Sequence, residues 1–570
     1  MAGLTTRKAP AIVVLGQGGL AAARQIQALY PQSQVHGLVG RVEQADVGYT
    51  AFGDTLRALY RQDTPIIALC AAGIVIRALA SLLSEKDHEP PVLAVAEDGS
   101  AVVPLLGGLG GVNVMAREIG AALAVPAAIT TSGELRFGTC LLNPPSGYVL
   151  ADLEQGKRFV SDLLGGESLR IEGQAPWLAP ARLPTDAQAR RTLYVGCEAR
   201  PANRDELLIH ARQVVVALEG PGPTLVAEVR QALSQAALAE PAVACLVAGA
   251  QHMAEPSLHE AARALGVPLR FVSGDVPAEV LLAQALPEAR RITTDVAGVA
   301  LAVAAQPVAP ETVGRARGRL AVIGLGPGAA DLMVPAVKAE LARANDVLGY
   351  ETYVRMAGPF RPDQVLHCTD NREEMQRARH AFELAAQGRS VVVVSSGDPG
   401  VFAMAAAVME ALHASSDPAW ARVELEVLPG VSASLATAAL SGAPLGHDFC
   451  VMSLSDNLKP WSIIETRLDL AAQADLALAF YNPISRARPW QLGKALDVVR
   501  RHRDPATPVV LGRDVGRPAQ ALRVVTLGEL VPDMVDMRTM VLVGSSTTCT
   551  FARAEGGVWV YTPRWYGSKP

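Results

Sequence analysis

The residues of this chain that suggest chemistry most directly are glycines set at the ends of apolar runs. Residues 320–328, LAVIGLGPG, carry a strand-like segment straight into a Gly-Pro-Gly turn. Turns of this kind, at the carboxyl edge of an α/β sheet, are where such folds bind nucleotide-like ligands. The spacing is not that of a dinucleotide loop, G-x-G-x-x-G. Here Gly324, Gly326 and Gly328 alternate, with Pro327 between the last two. Proline removes an amide that a pyrophosphate cradle would use and stiffens the turn. The loop therefore points to close backbone approach by something other than a dinucleotide.

Four later turns also follow apolar runs: SSGDPG (395–400), LPGVSAS (428–434), FYNPISR (480–486) and VGSSTT (543–548). Turns at strand carboxyl ends gather on one edge of an open α/β sheet, so these segments are expected to line one cleft. Backbone groups and small hydroxyls there suit a ligand with a ribose, an amino acid moiety and an adenine.

The elements that must position these turns are short apolar strands alternating with helices. In the C-terminal half the strongest strands are 391–394, 423–428, 476–480, 509–511 and 540–543. Near the N-terminus, strands at 11–15, 65–70, 92–96 and 102–106 alternate with helical stretches and predict a small parallel α/β domain, 1–145. Residues 146–190 are Pro-rich and read as an irregular connecting region. A second small α/β domain is expected over 191–306, and a Pro/Ala-rich, then basic, connector precedes the GLGPG strand.

A chain of 570 residues, half of them hydrophobic, is long enough for three or four domains. The formal charge of −5 supplies no basic field for nucleic acid. The opening MAGLTTRKAP lacks the apolar core of a secretory signal, and the longest uncharged runs are broken by Gly, Ser and Pro, so no membrane association is expected. The seven cysteines are scattered, with no C-x-x-C pair, which reads as a reduced, cytoplasmic protein without a metal site.

GLGPG, GDP after a V-V-V strand, PGVSAS, YNP and VGSS, in that order, resemble the tetrapyrrole methylases, S-adenosylmethionine-dependent enzymes of corrin formation. The resemblance covers residues 318–565 and implies their two-lobed, class III methyltransferase fold. GYETYV (349–354), FYNPISRARPWQL (480–492) and YTPRWY (561–566) resemble the precorrin-3B C17-methyltransferase branch, which methylates C17 and promotes contraction of the macrocycle. Carried over by motif, the donor site is Pro327, Ser396, Gly397, Asp398, Val401, Ser432, Ala433 and Asn482, with Gly544 and Ser545. The loop glycines Gly324, Gly326 and Gly328 then face the macrocycle. Methyl transfer to carbon needs alignment of donor and acceptor; no metal or covalent protein nucleophile is implied. Ring contraction adds proton movements, for which Glu351, Tyr353, His367, Asp370 and His447 are candidates. Arg355, Arg372, Arg486 and Arg488 are candidates to pair with precorrin carboxylates. The resemblance also implies a homodimer and leaves open contacts with neighbouring corrin-pathway enzymes.

The N-terminal half, with CAAGIVIRALASLL, LLGGLGGVN and ITTS, resembles the cobalt-precorrin-5A hydrolases, and VGCEARPANRDEL with ALGVPLRFVSGDVP resembles their C-terminal domain. Leu109 stands where that family usually has a histidine, and Cys197-Glu198-Ala199-Arg200 replaces Cys followed by Arg-Arg-Gly. Leucine cannot move a proton. Retained lactone hydrolysis and a non-catalytic tetrapyrrole carrier are both open, as are cobalt-containing and cobalt-free substrates. A nucleotide-binding oxidoreductase is a different class of reading, invited by VIGLGPG and VVLGQGG and opposed by the incomplete fingerprints.

Overall fold

The computed structural model describes residues 8–83, 89–201, 203–370, 373–485 and 487–565. The chain divides into two compact units, Met1–Gly318 with Pro359–Gln364, and Arg319–Gly358 with Val365–Pro570.

Among the described residues, the first unit contains three sheets. Strands β1 (Ala11–Val14), β2 (Gln34–Leu38), β3 (Val47–Tyr49), β4 (Ile66–Leu69), β5 (Val92–Val95) and β6 (Val102–Leu106) lie in the order β3-β2-β1-β4-β5-β6. All neighbours are parallel except β5 and β6, which are antiparallel. The expected all-parallel sheet thus carries one reversed edge strand, because the 96–101 connection is a turn and too short for a crossover helix.

Residues 146–190 are not irregular. They supply β7 (Tyr148–Leu150), the helix Leu153–Leu164 and β8 (Leu169–Gly173), which form one sheet with β9 (Arg191–Gly196) and β10 (Glu206–Ala211) in the order β7-β10-β9-β8. The helix is capped by Asp152, whose side chain accepts from the Gln155 amide at 2.9 Å. β7 and β8 are short and only partly buried, so they lack the unbroken apolar run that marks the other strands. The third sheet takes β11 (Val214–Leu218), β12 (Val243–Gly249), β13 (Leu269–Val272), β14 (Arg290–Ile292) and β15 (Val299–Val303) in the order β13-β12-β11-β15-β14.

The second unit is built on two five-stranded sheets. In the first, β16 (Arg319–Gly324), β17 (Asp346–Tyr350), β18 (Val365–Thr369), β19 (Ser390–Ser395) and β20 (Glu424–Leu428) are all parallel, in the order β18-β17-β19-β16-β20. β16 is an interior strand buried from Leu320 to Gly324, which explains its continuous apolar sequence.

After the two-residue β21 (Gly442–Ala443), the second sheet takes β22 (Phe449–Ser453), β23 (Ala477–Tyr481), β24 (Pro508–Arg513), β25 (Ala521–Thr526) and β26 (Thr539–Val543), in the order β22-β23-β26-β24-β25. β22 is parallel to β23, whereas β26 is antiparallel to both β23 and β24. The carboxyl ends of β22, β23 and β24 therefore share an edge, and β26 ends at the other. A hairpin of β27 (Cys549–Ala552) and β28 (Val558–Tyr561) pairs with β21. Among the described residues, no helix is long and apolar enough to cross a membrane.

Candidate functional site

Three loops interlock at the carboxyl edge of the first sheet in the second unit. Gly326 and Gly397 exchange both backbone hydrogen bonds: the Gly326 amide donates to the Gly397 carbonyl at 3.1 Å, and the Gly397 amide to the Gly326 carbonyl at 2.8 Å. Both have positive φ, +74° and +69°, where glycine is unstrained. A Cβ on Gly324 would lie 2.5 Å from the Gly397 carbonyl oxygen and 2.8 Å from the Gly430 nitrogen, so side chains are excluded where the loops meet.

Asp398 ties the same loops together. One carboxylate oxygen accepts from the Gly400 amide at 2.8 Å, and the other from the Gly430 amide at 3.0 Å. Its charge is thus spent bracing backbone, a role that the turn-forming Asp-Pro pair only half announces. Next to Gly430, Ser432 is buried and caps the helix Ala433–Ser441. Ser434 is held by Tyr481, whose hydroxyl accepts from the Ser434 amide at 3.1 Å and donates to the Ser434 hydroxyl at 3.1 Å. Tyr481 ends β23, so this pair joins the loops of the first sheet to the carboxyl edge of the second. Asn482 follows at φ +50° and donates to the Ser453 hydroxyl at 3.1 Å. Ser396 and Val401 flank this ground half-buried, and Ala433 is half-buried at the helix start.

A further loop belongs to the cluster and was not singled out in the sequence. After β24, residues 514–518 (DVGRP) fold over GLGPG: Arg517 donates to the Pro327 carbonyl at 3.3 Å, and a Cβ on Gly516 would lie 2.9 Å from the Pro327 ring. Pro327 is buried, and Gly328 is exposed beside Arg517. The signal was another Gly/Pro-bearing turn after an apolar strand, here obscured by its charges. Asp514 in this loop is buried at φ +48°, with ion pairs to Arg513 at 3.1 Å and Arg538 at 3.5 Å.

Gly544 and Ser545 lie elsewhere. In the β23–β26 pairing Val543 faces Leu478, at the start of β23, while Asn482 follows its end. Gly544, Ser545 and Thr548 are buried, with the Ser545 amide donating to the Thr548 hydroxyl at 2.8 Å, while exposed Ser546 bonds to Asp475. The single-edge expectation therefore fails for this turn, because β26 runs antiparallel.

The acid–base candidates also separate. Tyr353 lies close enough to Arg517 to feel its charge; burial pushes the phenol pKa up, and Arg517 partly opposes this. Glu351 is exposed and ion-paired with Arg355 one turn along its helix. Asp370 is exposed at the end of β18, where its carbonyl accepts from buried Arg377 at 2.7 Å. His367 bonds to buried Asp346 at 2.9 Å and to His380 at 3.3 Å, in a network completed by Arg389. Asp346 begins β17 and Arg389 immediately precedes β19, so that network reaches the opposite, amino edge of the sheet. His447 precedes β22 and accepts from the Asp448 amide at 2.7 Å, also at an amino edge. Arg488 is committed to Ser455, Asp456 and Asn457 at 3.2, 2.7 and 2.6 Å. Arg372, Arg486 and Tyr566 lie outside the described residues.

In the first unit, Leu109 is 45% exposed, while Asn113 is buried and bonds to Thr131 at 3.0 Å and Glu134 at 2.7 Å. Burial pushes the Cys197 thiol up, followed by the charge of Glu198. Arg200 is spent on Glu172 at 2.9 Å and Glu206 at 2.6 Å, and stacks over Tyr194 at 3.7 Å.

A parallel sheet with interlocked glycine turns, facing loops from a mixed second sheet, is the frame of a defined class. The profile of the family Tetrapyrrole (Corrin/Porphyrin) Methylases matches residues 319–531, and the chain belongs to that family as a methyltransferase. A precorrin-3B C(17)-methyltransferase from Sinorhizobium sp is 50% identical over 250 residues, which are 44% of this chain and 97% of that protein. A cobalt-factor III methyltransferase from Priestia megaterium is 38% identical over 253 residues, 44% of this chain and 46% of that protein. A solved structure of the methyltransferase CobJ is 53% identical, with TM-score 0.41, covering 43% of this chain and all of that one. Residues 54–134 match the family Cobalamin synthesis G N-terminal, and residues 220–325, which overlap the start of the methylase match, match Cobalamin synthesis G C-terminus.

Proposed function

We propose that residues 318–565 form an S-adenosylmethionine-dependent methyltransferase acting at C17 of precorrin-3B with ring contraction, in corrin formation. The observation that carries this reading is 50% identity along nearly the whole length of a relative with that name.

The residues at the loop junction fit such a donor. Gly324 and Gly430 let the backbones of the three loops pack directly against one another, and Asp398, Ser432 and Tyr481 hold that backbone still. Bound there, S-adenosylmethionine would supply an electrophilic methyl group on a sulfonium. The chain's own part is alignment, and fixed loops convert binding into orientation worth several orders of magnitude in rate. Pro327, Ser396, Gly397, Asp398, Val401, Ser432, Ala433 and Asn482 are the proposed donor shell. Gly544 and Ser545, at the far edge, act on it only through the packing of β26.

Of the five acid–base candidates, Tyr353 is the one we assign to the reaction. Its phenol is protonated at neutral pH, as that of any tyrosine is, and so has a proton to give, and Arg517, whose charge it feels, links its surroundings to the GLGPG turn.

For the first unit, Glu198 and Arg200 of the VGCEARP motif are held in internal pairs and position 109 is an exposed leucine. That supports a tetrapyrrole-holding role over lactone hydrolysis. Incubation of the full chain with methyl donor and either precorrin-3B or cobalt-factor III, followed by product mass and absorption spectrum, tests the assignment. Methylation of the cobalt substrate alone would transfer it to the route named in the Priestia relative, and thermal stabilisation by NAD but not by S-adenosylmethionine would replace it with the oxidoreductase reading.

A further inference from the structure

Phe402 sits where a large side chain is least expected. Its φ is +53°, a left-handed backbone that bulky residues rarely adopt and that persists only when the surroundings impose it. Its ring gains little from burial, being 51% exposed. Neither backbone preference nor core packing accounts for phenylalanine at this position.

The ring's contacts place it within the loop junction. Its centroid lies 5.4 Å from that of Tyr481, with the planes tilted by 60°. The Lys459 ammonium lies 5.9 Å from the ring centroid, on the loop that follows β22. Tyr481 in turn bonds to Ser434 and precedes Asn482, while Val401 precedes Phe402 itself. Phe402 therefore sits between two of the segments proposed to hold the donor, 396–401 and the end of β23 at Asn482, with an aromatic surface still open to solvent.

We infer that Phe402 is the stacking surface for the purine of the methyl donor, an inference that rests on the donor site proposed above. A purine face on an aromatic ring is a favourable, desolvating contact. Tyr481 against the ring and the Lys459 ammonium over it hold the ring in place, and the purine would cover the apolar surface that the free protein leaves exposed. The strained backbone then has a function, because it presents the ring at the junction instead of letting it fold into the core.

The test uses the full chain with Phe402→Gly, Phe402→Ala and Phe402→Tyr, titrated by calorimetry with S-adenosylhomocysteine and with 5′-methylthioadenosine, which keeps the purine and lacks the amino acid. Glycine is unstrained at this φ, so Phe402→Gly should melt higher than Phe402→Ala, and any loss of binding in it is not a folding defect. Both variants should bind both ligands roughly tenfold more weakly, the scale of one base–aromatic stack, while Phe402→Tyr stays within about twofold of the parent. Parental affinity for both ligands in Phe402→Gly overturns the inference. So does unchanged nucleoside affinity with a raised KM for the tetrapyrrole, which would assign the ring to the macrocycle. If the parent protein itself binds neither ligand, the donor site falls and this inference with it, an outcome distinct from an effect confined to the variants.

Discussion

Gly326 and Gly397, 71 positions apart in the chain, exchange two backbone hydrogen bonds of 3.1 and 2.8 Å and so clasp the GLGPG and SGDPG turns together. The pairing needs positive φ at both residues, and the neighbouring Gly324 admits no Cβ against the Gly397 carbonyl. The turns of β16 and β19 are thereby one structural object, with Gly430 as its third side.

Gly324→Ala should open this object. The added methyl meets a backbone oxygen at 2.5 Å, which cannot yield as a flexible side chain would. Overpacking of this kind costs roughly 1–3 kcal/mol. Scanning calorimetry of the full chain should show a lower transition for the second unit and an unchanged one for the first, and calorimetric titration should show weaker S-adenosylhomocysteine binding.

Asp398 acts by bracing, so its substitutions should be graded. Asp398→Asn keeps one acceptor oxygen, whereas Asp398→Ala loses both amide partners. Hydrogen bonds to a charged group contribute roughly 1.5–3 kcal/mol, so donor affinity should fall at least about tenfold in Asp398→Ala and less in Asp398→Asn. Equal affinity in both variants and the parent would show that the clamp is dispensable.

Tyr353→Phe removes only the phenolic oxygen. If the phenol donates a proton during ring contraction, kcat should drop by roughly 10²–10⁴ with little change in S-adenosylhomocysteine affinity. In the parent protein the raised phenol pKa predicts no loss of activity from this group across neutral pH, with a decline only in strongly alkaline solution. A Tyr353→Phe enzyme of parental kcat would return the role to another residue.

The first unit should be acid-sensitive. His36 and His210 both have pKa values lowered by burial, so the folded form prefers them neutral. An unfolded histidine binds its proton near pH 6.5, and the folded one only at lower pH, so the unfolded chain takes up more protons as pH falls. The stability these neutral histidines support is complete above about pH 6.5 and declines below it, towards their lowered folded values. Melting of the first unit between pH 7.5 and 5 should show this fall, and His210→Leu, which removes a buried Nδ1 without a hydrogen-bond partner, should flatten it.

The strands and turns of this protein are local properties. Continuous apolar runs such as 320–324 and 391–394 must be buried on both faces, and the alternating glycines with proline announce close backbone approach. The family pattern of ordered turns was legible for the same reason. The short, half-polar strands β7 and β8 were not, because their burial depends on partners at 191–211.

Strand direction and long-range pairing belong to the tertiary structure alone. Nothing in VGSSTT states that β26 runs antiparallel and carries Gly544 and Ser545 to the far edge. Nothing in GRDVGRP states that Arg517 will meet Pro327, 190 residues away. His367, one of five candidates for proton transfer in the sequence, is committed to Asp346 and His380. Burial and φ preference act over a few residues and are written in the sequence. A hydrogen bond across a sheet edge depends on where two distant segments are placed, and only the folded chain supplies that.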